Sequence, residues 1–185
     1  ASSDGWLPLL CTMNCTVATE FVRGLFNFSI SDLEEASSKA PCGSEGVIVL
    51  PFFNGERTPN LPNGRASITG LTTANTNREN ICRASMESAV FAMRGGLDAF
   101  RKLGFEPKEI RLIGGGSKSA TWRQIAADIM NLPVRVPVLD EAAALGAAVQ
   151  ALWCLESEKT SKTADIAALC AEHIKLDTEA TTNPI

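Results

Sequence analysis

The chain has 185 residues, 45% of them hydrophobic, and 17 Lys and Arg against 21 Asp and Glu leave a net charge of −4. This is enough apolar chain for one domain with a sizeable core. The cations are scattered, so no basic stripe can neutralise a nucleic-acid backbone, and no apolar run approaches the length of a membrane span.

The opening from Trp6 to Cys15 is apolar, reads as extended over Trp6 to Met13, and lacks the positive start of a secretory signal. Six cysteines (Cys11, Cys15, Cys42, Cys82, Cys154 and Cys170) form no Cys-x-x-Cys pair. That usage fits reduced thiols in a cytoplasmic protein and shows no metal-ligand spacing.

Ala18, Phe21, Val22 and Leu25 recur at helical spacing and predict a helix over 15–26. Ser31 and Glu34 have the spacing of a capping box for a second short helix, which Pro41 and Gly43 would close. Gly46 to Phe53 is rich in Val and Ile and reads as a buried strand. The Asn-Gly and Pro residues of 54–64 predict a turn-rich loop, and Ala66 to Leu71 a further strand. From Asn77 to Leu103, Met86, Val90, Met93, Leu97 and Phe100 repeat at helical spacing beside Ala84, Ser88, Ala92 and Gly96. This predicts a long helix buried on a broad face, its small residues suited to close packing on a sheet, with Gly104 as the stop.

Strands over 109–113 and 133–139 flank a helix over 121–130, and Asp140 can cap a last core helix running to Leu155. A polar linker from Glu156 to Thr163, a short amphipathic helix near 164–176 and a frayed tail complete the chain. The pattern is α/β, with a largely parallel sheet expected.

Between the last two strands lies Leu112 to Asp128, LIGGGSKSATWRQIAAD. A strand, three glycines and a helix leave backbone N–H groups free at a positive helix end, which suits a phosphate. A tight strand-to-helix connection is the plainer alternative.

Four segments in order, VLPFFNGERTP, ITGLTTANTNRENICRASMES, LIGGGSKSATWRQIAADIMNLPV and EAAALGAAVQA, resemble the C-terminal domain of the FGGY carbohydrate kinases. Gly55 to Pro59, the last glycine loop and the tail are most similar to the xylulokinase branch. The resemblance implies an actin-like (ribonuclease H-like) domain over 1–155, a mixed sheet flanked by helices, followed by the linker and tail of 156–185. Such a domain is the second of two that close around ATP and a sugar. It implies further that this chain starts partway into that domain, without its first strands.

By the same resemblance, the backbone at Gly115 and Gly116 meets the α-phosphate and adenosine side of ATP. Ser117 follows as a donor to phosphate or ribose, or as a cap. Ala120 stands where some members place an Asn against adenine. Thr16 and Glu20 match positions lining the nucleotide cleft. Mg2+ accompanies ATP, and the acceptor is a ketopentose, D-xylulose phosphorylated at O5. The catalytic base is expected on the N-terminal domain of the same kinase, so no catalytic residue and no metal ligand is assigned here. Arg57 and Glu56 read as an ion pair steadying their loop or as a contact to that domain. Asp140 and Glu141 read as helix caps before cation ligands. Met86, Val90 and Met93 read as core, and His173, the single histidine, as a tail residue. Exposed strand edges predict association with that domain or as a homodimer. A kinase of gluconate, ribulose or glycerol, or a non-catalytic module on the same fold, are the alternatives.

Overall fold

A computed structural model describes residues 7–139, 141–160 and 162–185. The centre of the fold is a helix of 25 residues, against which three other helices and a strand pack. Helix α1 (Cys15–Phe26) buries Ala18, Thr19 and Val22 and ends where Asn27 adopts a left-handed φ of 53°. Helix α2 (Ile30–Lys39) starts one turn away. Its capping box is made by Ser29 and Asp32, because Ser29 Oγ accepts the Asp32 N–H and the Asp32 carboxylate accepts the Ser29 N–H. The expected Ser31–Glu34 box is therefore corrected, and Glu34 is released for another role.

Strand β1 (Ile48–Leu50) pairs antiparallel with β2 (Ser67–Thr69), Val49 opposite Ile68. Both are shorter than their apolar runs suggest, because Pro51 and the turns after it leave the ladder. The long helix α3 (Arg78–Lys102) is capped by the Asn77 side chain, which accepts the Asn80 N–H at 2.8 Å. It packs against α1, α2 and β1, and against α4 (Ala120–Met130). Its small residues allow close approach, as expected: Ala84 packs with Val47 and Val49 at β1, and Gly96 lies under the Leu10 side chain.

The second sheet is mixed. Strand β3 (Ile110–Arg111) runs parallel to β4 (Val134–Pro137), and β4 runs antiparallel to β5 (Leu176–Thr182), with an irregular register between Val134 and Val136. This corrects two expectations. The sheet is not largely parallel, and the tail is not frayed, since β5 covers the free edge of β4. Helix α5 (Ala142–Thr160) continues through the residues expected as a linker from 156, so the chain turns only after Thr160. Helix α6 (Ile166–His173) lies against α5, where the Trp153 indole donates to the Ala164 carbonyl at 2.8 Å. The extended reading at Trp6 and the cap at Asp140 fall outside the described residues.

The main core joins Val22, Leu33, Met86, Val90, Ile125, Met130 and Val134. Ile125 is 1% exposed, and burying such a side chain contributes about 2–3 kcal/mol. Met86 and Val90 are in this core as expected, and Met93 packs at its margin. The result is a rigid platform under the start of α4, where the glycine stretch sits.

Candidate functional site

Gly114 to Lys118 leads into α4. Gly114 has a φ of +81°, a conformation that favours glycine, and a 3-10 turn over Gly115–Lys118 follows. The Ser117 N–H donates to the Gly114 carbonyl at 3.1 Å, and the Ser119 N–H to the Gly116 carbonyl at 3.3 Å. The N–H groups of Gly115 and Gly116 lead the turn and have no acceptor within it.

The three glycines are not equivalent. Gly114 is required by its backbone. Gly115 and Gly116 have no positive φ. A Cβ at Gly115 would meet nothing within 4 Å, and one at Gly116 would lie 3.6 Å from the Trp122 ring, an ordinary contact. The fold alone therefore does not demand glycine at either position, and the missing Cβ leaves their backbone open to close approach.

Ser117 is turned inward. It is 4% exposed, and its hydroxyl donates to the Gly114 carbonyl at 2.8 Å, so it serves the turn itself. Ala120 is the exposed first residue of α4 and carries no polar group for a base. Arg123, which sequence reading did not single out, holds the turn from α4 through Nη1 to the Ser117 carbonyl at 2.7 Å. Its Nε is buried with no partner among the described residues. An arginine one turn into the helix was the available signal.

Helix α4 is capped twice. Ser119 Oγ accepts the Trp122 N–H at 2.9 Å. Glu34, from the middle of α2, accepts the Thr121 N–H at 3.0 Å through Oε1 and the Ser119 hydroxyl through Oε2. The positive end of α4 thus already faces a carboxylate.

Thr16 and Glu20 sit on α1, whose partner is α3, whereas the turn packs on α4. Thr16 is exposed and uses its carbonyl for the Thr19 hydroxyl. The Glu20 carboxylate is held by Arg23 at 2.6 Å, and that hydrogen bond draws its pKa below the usual carboxylate range. Arg23 also donates to the Phe28 carbonyl, so the pair fastens the α1–α2 corner. No hydrogen bond or ion pair among the described residues joins Thr16 or Glu20 to the glycine turn.

The GERTP loop has its own anchor. Glu56 is 2% exposed and accepts from the Met13 N–H at 2.8 Å, the Arg57 N–H at 2.7 Å and the Asn14 amide at 3.1 Å. Burial pushes its carboxyl up, but these donors outweigh burial and hold its pKa below the ordinary value. The expected Glu56–Arg57 ion pair is corrected: Glu56 takes the backbone of Arg57, whose guanidinium lies 3.4 Å from Cys11 Sγ. Glu141 uses its carbonyl for the first turn of α5, accepting from Leu145 at 3.0 Å, and His173 ends α6 beside Glu172. Among the described residues, no three Asp, Glu, His or Cys side chains converge as metal ligands, and no helix is long and apolar enough to cross a membrane.

An apolar cleft of about 680 Å³ lies elsewhere, between β1, the 51–59 segment and α3. Ile48, Leu50, Phe52, Pro59 and Phe91 make it apolar, without the convergent donors a phosphate needs. The glycine turn is an open surface beside α4, and its backbone donors make it the better candidate.

Residues 17–155 match the C-terminal domain of the FGGY family of carbohydrate kinases. The chain belongs to this family. It is 47% identical over 184 residues to the xylulose kinase of Haemophilus influenzae, covering 100% of this chain and 36% of that protein. It is 35% identical over 134 residues to the glycerol kinase of Bacillus subtilis, covering 71% of this chain and 27% of that protein. The crystal structure of xylulose kinase from Bifidobacterium adolescentis superposes with a TM-score of 0.79 at 35% identity, covering 96% of this chain and 34% of that one. The FGGY chain described here thus spans about a third of the length of the relatives it matches. Its mixed sheet and flanking helices are an actin-like ATPase fold.

Proposed function

We propose that this chain is the nucleotide-binding part of an ATP-dependent sugar kinase, whose whole protein transfers the γ-phosphoryl group of ATP to O5 of D-xylulose. One observation carries the nucleotide part: Gly115 and Gly116 lead the turn with N–H groups that have no backbone acceptor among the described residues, and with no Cβ, at a turn whose geometry does not require glycine there. Backbone donors of this kind cradle phosphate oxygens, and a side chain would hold the ligand off. Phosphoryl transfer rests on positioning and on charge stabilisation, with a carboxylate to accept the hydroxyl proton. In this reading the turn orients the adenosine and α-phosphate side of ATP, and Arg123 and Glu34 keep it in place. The base and the sugar contacts belong to the N-terminal domain of the whole protein.

The described residues form no magnesium cage. Mg2+ would arrive on the phosphates, as is usual for this ion, and no step is assigned to it. The choice of D-xylulose is supported by the 47% identity to a xylulose kinase. A glycerol-phosphorylating kinase is the second reading, favoured by the 35% identity to a glycerol kinase; rates of the whole protein on the two acceptors separate them.

Calorimetric titration of the purified protein with MgATP tests the nucleotide reading. Gly115→Val should weaken binding at least about tenfold while the melting temperature stays at the wild-type value, because a side chain there meets open space. Unchanged affinity in the folded variant would overturn it.

A further inference from the structure

We propose that Glu34 is a positioning residue for the nucleotide phosphates, closing the amino-terminal end of α4 so that a phosphate settles on the Gly115–Gly116 backbone. The inference deepens the nucleotide reading and rests on it.

A helix start just after a glycine turn offers an incoming anion two places to sit: the turn and the helix end. Here the helix end is taken. The Thr121 N–H donates to Glu34 Oε1 at 3.0 Å, and the Trp122 N–H to Ser119 Oγ at 2.9 Å. The Ser119 hydroxyl in turn donates to Glu34 Oε2. The carboxylate comes from 85 and 87 residues earlier in the chain, so this is a tertiary choice and not a local cap. Glu34 has no capping duty in its own helix, which Ser29 and Asp32 already cap.

Two effects follow. Ser119, which Glu34 holds, also donates its N–H to the Gly116 carbonyl at 3.3 Å, so the carboxylate fixes the orientation of the turn. Its charge also repels a phosphate that slides from the turn towards α4, while Arg123, on the Ser117 carbonyl, keeps a cation on the turn side. The phosphate chain of a nucleotide is held in one register.

The test compares wild type, Glu34→Gln and Glu34→Asp by titration with adenosine and with inorganic tripolyphosphate. Glu34→Gln keeps an oxygen for the Thr121 N–H and removes the charge. Tripolyphosphate should bind this variant about three- to fivefold more tightly at low salt, with adenosine affinity unchanged, while Glu34→Asp keeps the wild-type ratio. A merely structural Glu34 lowers the melting temperature of both variants and leaves the ratio alone, and that result overturns the proposal, as does undetectable tripolyphosphate binding to the Gln variant. A measurement on wild type needs no variant to fold. Tripolyphosphate should shift the amide resonances of Gly115 and Gly116 and leave those of Thr121 and Trp122 in place; shifts centred on Thr121 overturn the proposal. If Gly115→Val leaves MgATP binding intact, the nucleotide reading itself fails. If it abolishes binding while the tripolyphosphate ratio is unmoved, only the role of Glu34 fails.

Discussion

Two glycine-bearing segments of this chain are each tied down by a glutamate, Glu56 from within its own loop and Glu34 from 85 residues away, and they are built for opposite ends. In the loop around Gly55, the glycine is enforced. Its φ is +68°, and a Cβ would lie 2.4 Å from the Pro62 carbonyl oxygen. Its anchor, Glu56, is buried and saturated with donors from Met13, Asn14 and Arg57. In the turn at Gly115, the backbone is ordinary, the space is open and the leading donors have no backbone acceptor among the described residues, although Glu34 and Arg123 hold the turn. The first segment spends its polar groups on its own backbone and on the 13–14 stretch packed against it. The second is held rigid from outside and keeps its polar groups for something else. A glycine with no reason in the fold is the more informative one.

The largest effect that sharpens this contrast is a paired substitution to alanine. Gly55→Ala forces a side chain into a left-handed conformation against immovable backbone and should cost about 3 kcal/mol. Gly115→Ala should stay within about 0.5 kcal/mol of wild type. Chemical denaturation of both variants checks this, and equal losses would erase the distinction between the two segments.

Next comes Glu56→Gln, which should cost about 2 kcal/mol at pH 7, because hydrogen bonds to a buried carboxylate are replaced by weaker ones to an amide. The sign of its pH dependence is fixed. The folded pKa of Glu56 lies below its unfolded value near 4.5, so its stabilisation is present above that value and is lost as pH falls through the folded one. Denaturation measured from pH 7 downward should show a shallower acid limb in the Gln variant than in wild type. Parallel limbs would show that Glu56 is not a charged anchor.

The smallest effect belongs to Glu20→Ala. Its ion pair with Arg23 is solvent-exposed, so neither the melting temperature nor the MgATP affinity should change measurably. A tenfold loss of affinity would return Glu20 to the nucleotide cleft, where its sequence position suggests it.

Much of the local architecture follows from the sequence alone. Apolar spacing is a property of the chain itself, so α1, α3 and α4 lie close to where their periodicity puts them, and Gly114 marks the turn before α4. The four ordered motifs were sufficient to place the family that the match over 17–155 shows. What the sequence could not reveal is which group a polar side chain chooses when local and distant partners compete. Glu34 has the spacing of a local capping partner, but Asp32 fills that role and Glu34 reaches α4 instead. Glu56 stands beside Arg57, but the folded chain brings the Met13 N–H and the Asn14 amide to its carboxylate. The polar tail has no apolar periodicity, yet the free edge of β4 supplies backbone partners that turn residues 176–182 into a strand. Periodicity records what a segment must bury and is written residue by residue. Hydrogen-bond partners across tens of residues exist only once the helices have packed, and there the tertiary structure alone decides.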